Sequence, residues 1–342
     1  MRIALDATYS LSDEPSGVAV YSRQILEGLA ASGFADAWEW FYRSQRYWKA
    51  QSVRLPGNVK RRFLTDTWGS RAADLFHGLN QRLPDKPFRR QIATFHDLFV
   101  MSGDYSTKEF RDRFTAQARQ AAAAADLIVA VSAFTARQVE DLLGFPASRI
   151  RVIHHGVLRR RIPELPRENV VLCVGAIQKR KNQSALVRAF RALPADWTLV
   201  LAGSEGYEAS ETMSEIAKSP CAGRIRVTGY LSEAELTEWY ARARIFAFPS
   251  HDEGFGMPVL EAMAAGLPVI AGARSALTEA GGEAVLYVDP RKDDEIAATL
   301  NRLASDAMLR QELIDKGHAR VREFTWQRSC QATLDAYREV LS

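Results

Sequence analysis

The sequence predicts an α/β protein built on two doubly wound parallel sheets, each with its own core. Three observations carry this. Short β-rich apolar runs alternate with helical patterns along the chain, which implies parallel strands joined by helical crossovers and covered on both faces. At 342 residues the chain is long enough for two domains of ordinary size. One aperiodic stretch, 158–167, holds two prolines and an arginine cluster, divides the alternation into two blocks and reads as an interdomain connection.

In the first block the runs 3–7, 38–42, 75–78, 92–95, 127–131 and 150–153 predict strands, with helices over 18–31, 107–124 and 134–143. In the second, 170–174, 198–202, 225–228, 245–248, 268–271 and 285–288 predict strands, with helices over 182–193, 233–241 and 258–265. Two further helical patterns, 307–323 and 326–341, close the chain, broken at Phe324-Thr325-Trp326. The expected division is therefore a first domain over 1–160, a linker over 161–168, a second domain over 169–325 and a last helix over 326–342. No internal repeat or low-complexity tract interrupts it.

Composition is that of a soluble globular protein. Cys173, Cys221 and Cys330 lie far apart with no Cys-x-x-Cys, so neither a disulfide framework nor a zinc site is expected. The chain opens on a strand-like Arg2-Ile3-Ala4-Leu5, not on a signal peptide, and its most apolar stretch, 121–134, is broken by Asp126 and too short to span a bilayer. A cytoplasmic protein is expected, at most peripheral at the inner face of a membrane. Residues 1–165 carry about 24 Lys and Arg against about 17 Asp and Glu, and the remainder is slightly acidic. The basic half fits an anionic lipid surface, a phosphorylated acceptor or simply solvent. Arg159 to Arg161 alone do not support nucleic-acid binding.

The most informative segment is Ser250-His251-Asp252-Glu253-Gly254-Phe255-Gly256-Met257-Pro258-Val259-Leu260-Glu261. A buried strand ends at Pro249, a glycine loop with a carboxylate follows, and a helix opens at Met257-Pro258, where proline suits the first turn. Glu253 on the loop and Glu261 on the helix flank backbone amides that can hold a phosphate, while the acids accept from hydroxyls. A second loop, Gly175-Ala176-Ile177-Gln178-Lys179-Arg180-Lys181-Asn182, places three cations before a helix. That misfit with the helix dipole is one that a bound pyrophosphate would relieve, unless the turn is merely basic and exposed. Gly17 opens a helix after the first strand, beyond Asp13-Glu14-Pro15-Ser16; Gly203 and Tyr230 follow two later strands; His77 and His96-Asp97 stand at strand ends.

The run Glu-Gly-Phe-Gly-Met-Pro-Val-Leu-Glu, with Arg180-Lys181 and Thr94-Phe95-His96-Asp97-Leu98, resembles the signature of glycosyltransferase family 4. The resemblance implies a GT-B fold, two Rossmann-like domains with parallel sheets facing a central cleft, and a retaining transfer from a nucleoside diphosphate sugar. It implies His96 near the donor sugar and Asp97 on the acceptor side; His77, at another strand end, is a weaker acceptor-side candidate from its position alone. Arg180 and Lys181 would hold the diphosphate. Glu253 and the amides of Gly254, Phe255, Gly256 and Met257 would meet sugar and phosphate. Glu261 would take the ribose hydroxyls, and Gly17, Gly203 and Tyr230 would line the rest of the donor site. The position after Gly175, an arginine in many members, is Ala176 here, which leaves that role to Arg180. The last helix is expected to cross back to the first domain.

No Asp-x-Asp occurs, so no metal or other cofactor is expected. The two glutamates are not read as a hydrolytic pair. The implied enzyme is a hexosyltransferase resembling bacterial polysaccharide mannosyltransferases, with a GDP- or UDP-linked donor and a glycan or lipid-linked acceptor. A nucleotide-sugar epimerase or hydrolase, or a non-catalytic sugar-nucleotide binding module, remains an alternative reading.

Overall fold

The computed structural model describes residues 1–12, 16–67 and 71–342, so the expected acidic turn Asp13-Glu14-Pro15 lies outside it. The chain forms two compact units, Met1–Gly156 with Phe324–Ser342, and Val157–Glu323.

Among the described residues of the first unit, seven strands pair in parallel: β1 (Arg2–Asp6), β2 (Ala37–Arg43), β3 (Val59–Leu64), β4 (Leu75–Gly78), β5 (Gln91–Phe95), β6 (Leu127–Ala130) and β7 (Ile150–Val152). Their order is β3-β2-β1-β4-β5-β6-β7. The helices are α1 (Gly17–Ala30), α2 (Ser44–Ala50), α3 (Phe99–Ser102), α4 (Lys108–Ala124) and α5 (Ala133–Leu143), together with the C-terminal helix Trp326–Leu341. Alternation along the strands explains why their sequences are apolar throughout. Ile3, Leu5, Leu75, Ile92, Leu127 and Val129 face one core with α1 and the C-terminal helix, while Ala4, Phe76, Ala93, Phe95 and Ile128 face the other with α4.

The second unit repeats the plan with six parallel strands: β8 (Val170–Val174), β9 (Thr198–Ala202), β10 (Ile225–Gly229), β11 (Ile245–Phe248), β12 (Val269–Gly272) and β13 (Val285–Val288), in the order β10-β9-β8-β11-β12-β13. Its helices are α6 (Gln183–Phe190), α7 (Ala209–Lys218), α8 (Glu233–Arg242), α9 (Met257–Ala264), α10 (Leu277–Gly281), α11 (Asp293–Ser305) and α12 (Ala307–Arg320). In each sheet the strand order reverses once, between β1 and β4 and between β8 and β11. Loops leaving the carboxyl ends of strands at such a reversal diverge to opposite faces and open a crevice, the usual ligand position in this class of sheet.

The fold class is the expected one, and all twelve expected strands exist with ends shifted by no more than a residue or so. The strand β3 and the helices α2, α3, α7, α10 and α11 were not expected. β3 is an edge strand whose middle is Lys60-Arg61-Arg62, with only its ends, Val59 and Leu64, buried. Cations on an edge prevent pairing with another chain, and the same cations erase the apolar signature of a strand.

The C-terminal helix completes the first unit. Thr325 caps it by accepting from the Arg328 N–H at 3.2 Å, and Cys330, Leu334 and Tyr337 join the core formed with Tyr21, Ile25 and Leu29. Tyr337 also reaches His77. The phenol oxygen lies 2.7 Å from Nδ1, Nε2 lies 2.8 Å from Thr94 Oγ1, and Thr94 Oγ1 lies 3.0 Å from the Tyr21 hydroxyl. All four side chains are buried, so the chain of hydrogen bonds satisfies groups that have no water. Tyr337→Phe should therefore destabilise the protein by about 1–3 kcal/mol in urea unfolding. Its combination with Thr94→Val should cost less than the sum of the two single changes, since both break one network.

Candidate active site

The reversal between β8 and β11 is where the two motif loops meet. β8 leads through Gly175 into a single turn of 3₁₀ helix, Lys179–Lys181. Asn182 closes that turn in the left-handed conformation, φ 58°, which asparagine tolerates better than most residues. Its amide donates to the carbonyls of Pro249 at 3.1 Å and Pro290 at 2.6 Å, and the His251 N–H donates to the Arg180 carbonyl at 2.9 Å. The two loops are thereby fastened to each other by backbone groups, which fixes where Arg180 and Lys181 start.

Both cations then turn onto Glu253. Arg180 Nη1 lies 2.9 Å from Oε2, and Lys181 Nζ lies 2.7 Å from Oε1 and 4.5 Å from the centre of the Phe248 ring. Arg180 also donates to the Asp252 carbonyl. Arg180, Lys181 and Glu253 are 7, 9 and 7% exposed, so the loop is not an exposed basic turn. Burial works to raise the Glu253 carboxyl, but the charges of Arg180 and Lys181 overcome it and hold it at about 2. Burial also pulls Lys181 below its ordinary value, against the pull of Glu253. One carboxylate shared by two buried cations leaves the trio formally positive.

Beyond Glu253 the chain runs through buried Gly254 and Phe255 to Gly256, the N-cap of α9, at φ 102°, a conformation that a side chain would strain. Met257 and Pro258 start the helix half-buried. Glu261, one turn on, is held on both oxygens. Tyr240 on α8 donates its hydroxyl to Oε2 at 3.1 Å, and Arg160 Nη1 lies 3.0 Å from Oε1. Burial raises the Glu261 carboxyl and Arg160 opposes the rise. Gly203, after β9, is packed so that a Cβ would stand 2.2 Å from the Gly175 carbonyl oxygen; its close approach is to the protein's own backbone. Tyr230, after β10, is 45% exposed. Arg160 and Tyr240 were not expected at the site. Glu261 lies 101 residues from Arg160 and 21 from Tyr240 in sequence, and neither one arginine of a basic cluster in a connection nor a tyrosine on a helix announces such a contact.

In the first unit the histidines divide. His77 is fully buried with both ring nitrogens engaged, as described above, so its place is structural and it does not present itself to an acceptor. His96 is 7% exposed and its Nε2 lies 3.0 Å from the Leu79 carbonyl oxygen. Since that oxygen only accepts, Nε2 carries the proton and Nδ1 is the accepting nitrogen. His96 therefore presents an accepting nitrogen, not a donating one, away from Leu79. His96 stacks on His155, with ring centroids 5.3 Å apart, and meets Tyr21 edge-on at 4.8 Å. Asp97 is half-buried beside it, and Gly17 is exposed at the first turn of α1.

Burial pushes His96 down to about 4 and His77 to about 3, and His155 lies well below its ordinary value for the same reason. These imidazoles stay neutral in the fold and take protons below about pH 6.5 once unfolded. The unfolded chain then binds more protons than the native one, so stability is full above that pH and falls below it, by about 1.4 kcal/mol per pH unit for each histidine. The urea midpoint should drop between pH 7 and 5.5, and less steeply in His155→Gln.

Residues 157–320 match the family described as Glycosyl transferases group 1, and residues 66–160 match Glycosyltransferase Family 4. The chain is 30% identical to O-antigen chain mannosyltransferase B of Escherichia coli over 77% of its own length and 74% of that protein's. It is also 30% identical to a D-inositol 3-phosphate glycosyltransferase of a Nocardioides species, over 95% of this chain and 72% of the relative. Sucrose-phosphate synthase from Thermosynechococcus elongatus superposes with a TM-score of 0.81 at 22% identity, covering 99% of this chain and 98% of that one, which establishes the shared GT-B fold. The chain belongs to glycosyltransferase family 4 and is a hexosyltransferase that draws its sugar from a nucleotide-sugar donor.

Proposed function

We propose that this enzyme is a metal-independent, retaining mannosyltransferase that moves mannose from GDP-mannose to an acceptor hydroxyl in surface polysaccharide or glycolipid synthesis. The observation that carries the reading is the buried trio at the strand reversal, in which Arg180 and Lys181 share the single carboxylate of Glu253. The residual positive charge of this nearly buried trio suits a leaving diphosphate. The mannosyl choice is supported by the name of the E. coli relative.

In this reading the bond from the sugar C1 to the diphosphate oxygen breaks as a bond from C1 to the acceptor oxygen forms on the same face. The acceptor proton passes to the departing diphosphate, whose charge Arg180 and Lys181 balance. Glu253 is no nucleophile here, because both oxygens are tied to cations and its affinity for protons and carbon alike is low. It holds the cations in place and, with the Gly254–Met257 backbone, faces sugar and phosphate. Glu261 takes the ribose hydroxyls, with Tyr230 lining the donor. His96 accepts from a substrate hydroxyl through Nδ1, and Asp97 meets the acceptor.

Calorimetry should show GDP binding about tenfold or more tighter than UDP or ADP; tighter UDP binding would overturn the choice of donor. Lys181→Ala should lower kcat about 100- to 1000-fold. The product should be the α-mannoside by NMR, formed equally well in chelator, and a β-mannoside would sink the retaining reading.

The partner that presents the acceptor is proposed to be an anionic membrane surface. No helix among the described residues is long and apolar enough to cross a membrane. Between residues 44 and 64 there are six cations and no carboxylate, and Trp48 in their midst is 81% exposed. An exposed tryptophan among cations suits the headgroup region of an anionic bilayer. The protein should sediment with phosphatidylglycerol vesicles and not with phosphatidylcholine ones, and Trp48→Ala should weaken that binding about tenfold.

A further inference from the structure

The connection that enters the second unit carries one side chain turned inward. Arg160 lies three residues past Val157, on a stretch without regular secondary structure, yet its side chain is only 11% exposed. Its guanidinium joins two helix starts. Nη1 lies 3.0 Å from Glu261 Oε1 on α9, and Nε lies 3.0 Å from Glu233 Oε2, on the first residue of α8. The planar group also stands 5.6 Å from the centre of the Tyr240 ring, whose hydroxyl donates to the other oxygen of Glu261. Arg160 and Tyr240 thus hold the carboxylate from two sides, leaving each oxygen one further lone pair.

We propose that Arg160 is a positioning residue for the nucleoside end of the donor site: it fixes the Glu261 carboxylate, in its charged form, for the ribose hydroxyls. This rests on the reading of Glu261 given above. The fork geometry of arginine matters because Nε meets Glu233 and Nη1 meets Glu261, two separated nitrogens in fixed directions that the single nitrogen of an ammonium does not reproduce. Glu233 is 60% exposed and serves to orient the fork; Glu261 is 12% exposed and depends on it for counter-charge. The charged and titratable groups bearing on Glu261 are Arg160 from the connection and Tyr240 and Glu233 from α8. Burial already raises Glu261, so removing Arg160 leaves a buried carboxyl that takes up a proton as the pH falls and then ceases to accept from two hydroxyls.

The test uses the full chain, with GDP titrated calorimetrically and the donor KM and kcat measured from pH 8 to pH 6. Arg160→Ala should weaken GDP binding and raise the donor KM about 10- to 100-fold while kcat changes by less than about threefold. The loss should grow toward pH 6, where the unaltered enzyme stays flat. Arg160→Lys restores the charge and should recover part of the affinity and most of the pH independence. Glu233→Gln should weaken binding by about threefold at most. Unchanged or tighter GDP binding in a folded Arg160→Ala enzyme would overturn the proposal, tighter binding meaning that Arg160 blocks Glu261. Should Arg160→Ala not fold, Arg160→Lys decides: an affinity equal to the unaltered enzyme at every pH overturns the need for the fork. Glu261→Gln separates the two readings. If it leaves GDP binding intact, the ribose role of Glu261 fails; if it weakens binding and Arg160→Ala does not, only the role of Arg160 fails.

Discussion

The second unit is organised around a carboxylate that two buried cations share. Glu253, Arg180 and Lys181 are nearly withdrawn from water, and each of them alone would be costly to bury. Together they are tolerated, but only with the geometry right, and the surrounding backbone is arranged to keep it so. The left-handed Asn182 fastens the turn bearing the cations to the exits of β11 and β13 through the carbonyls of Pro249 and Pro290. The left-handed Gly256 then redirects the chain from Glu253 into α9. Even the identity of Phe248, whose ring faces the Lys181 ammonium, belongs to this arrangement.

What could be read from the sequence was what is local. The strand, glycine loop, proline and helix of residues 245–264 are consecutive, and each obeys a rule about its own position. The cation turn was legible because three positive charges before a helix contradict a local preference. The contacts that complete the site are not local. Arg160 meets Glu261 only because α8 and α9 bring their first turns to the same side of the sheet. β3 escaped because an edge strand protected by cations looks like a surface loop. For the histidines, position was legible and direction was not: a strand end gives His77 and His96 the same sequence context. Burial and the Leu79 carbonyl decide that one is sealed inside and the other presents an accepting nitrogen.

The two units solve the same topological problem with different materials. Each has one strand reversal, and each reversal gathers polar side chains. In the second unit they are charged and paired, Arg180 and Lys181 with Glu253. In the first, His77, His96, His155, Thr94 and Tyr21 are neutral and bind and stack on one another, while the buried charges Asp6 and Arg43 pair with each other at the ends of β1 and β2. Neutral groups need no counter-ion when buried, so the histidine cluster brings hydrogen-bonding atoms inward without adding net charge.

The helix Trp326–Leu341 gives the chain an order of completion as well as a shape. Its Leu334 and Tyr337 belong to the core that β1 and α1 begin, and it is translated after every other element of that core. The second unit is continuous, Val157–Glu323, and has all of its strands before that helix exists. On the ribosome the later-translated unit can close first, while the earlier one waits with the face of α1 bare and His77 lacking its tyrosine. A chain interrupted before that helix is made therefore carries a second unit with all its strands attached to a first unit whose core is unfinished.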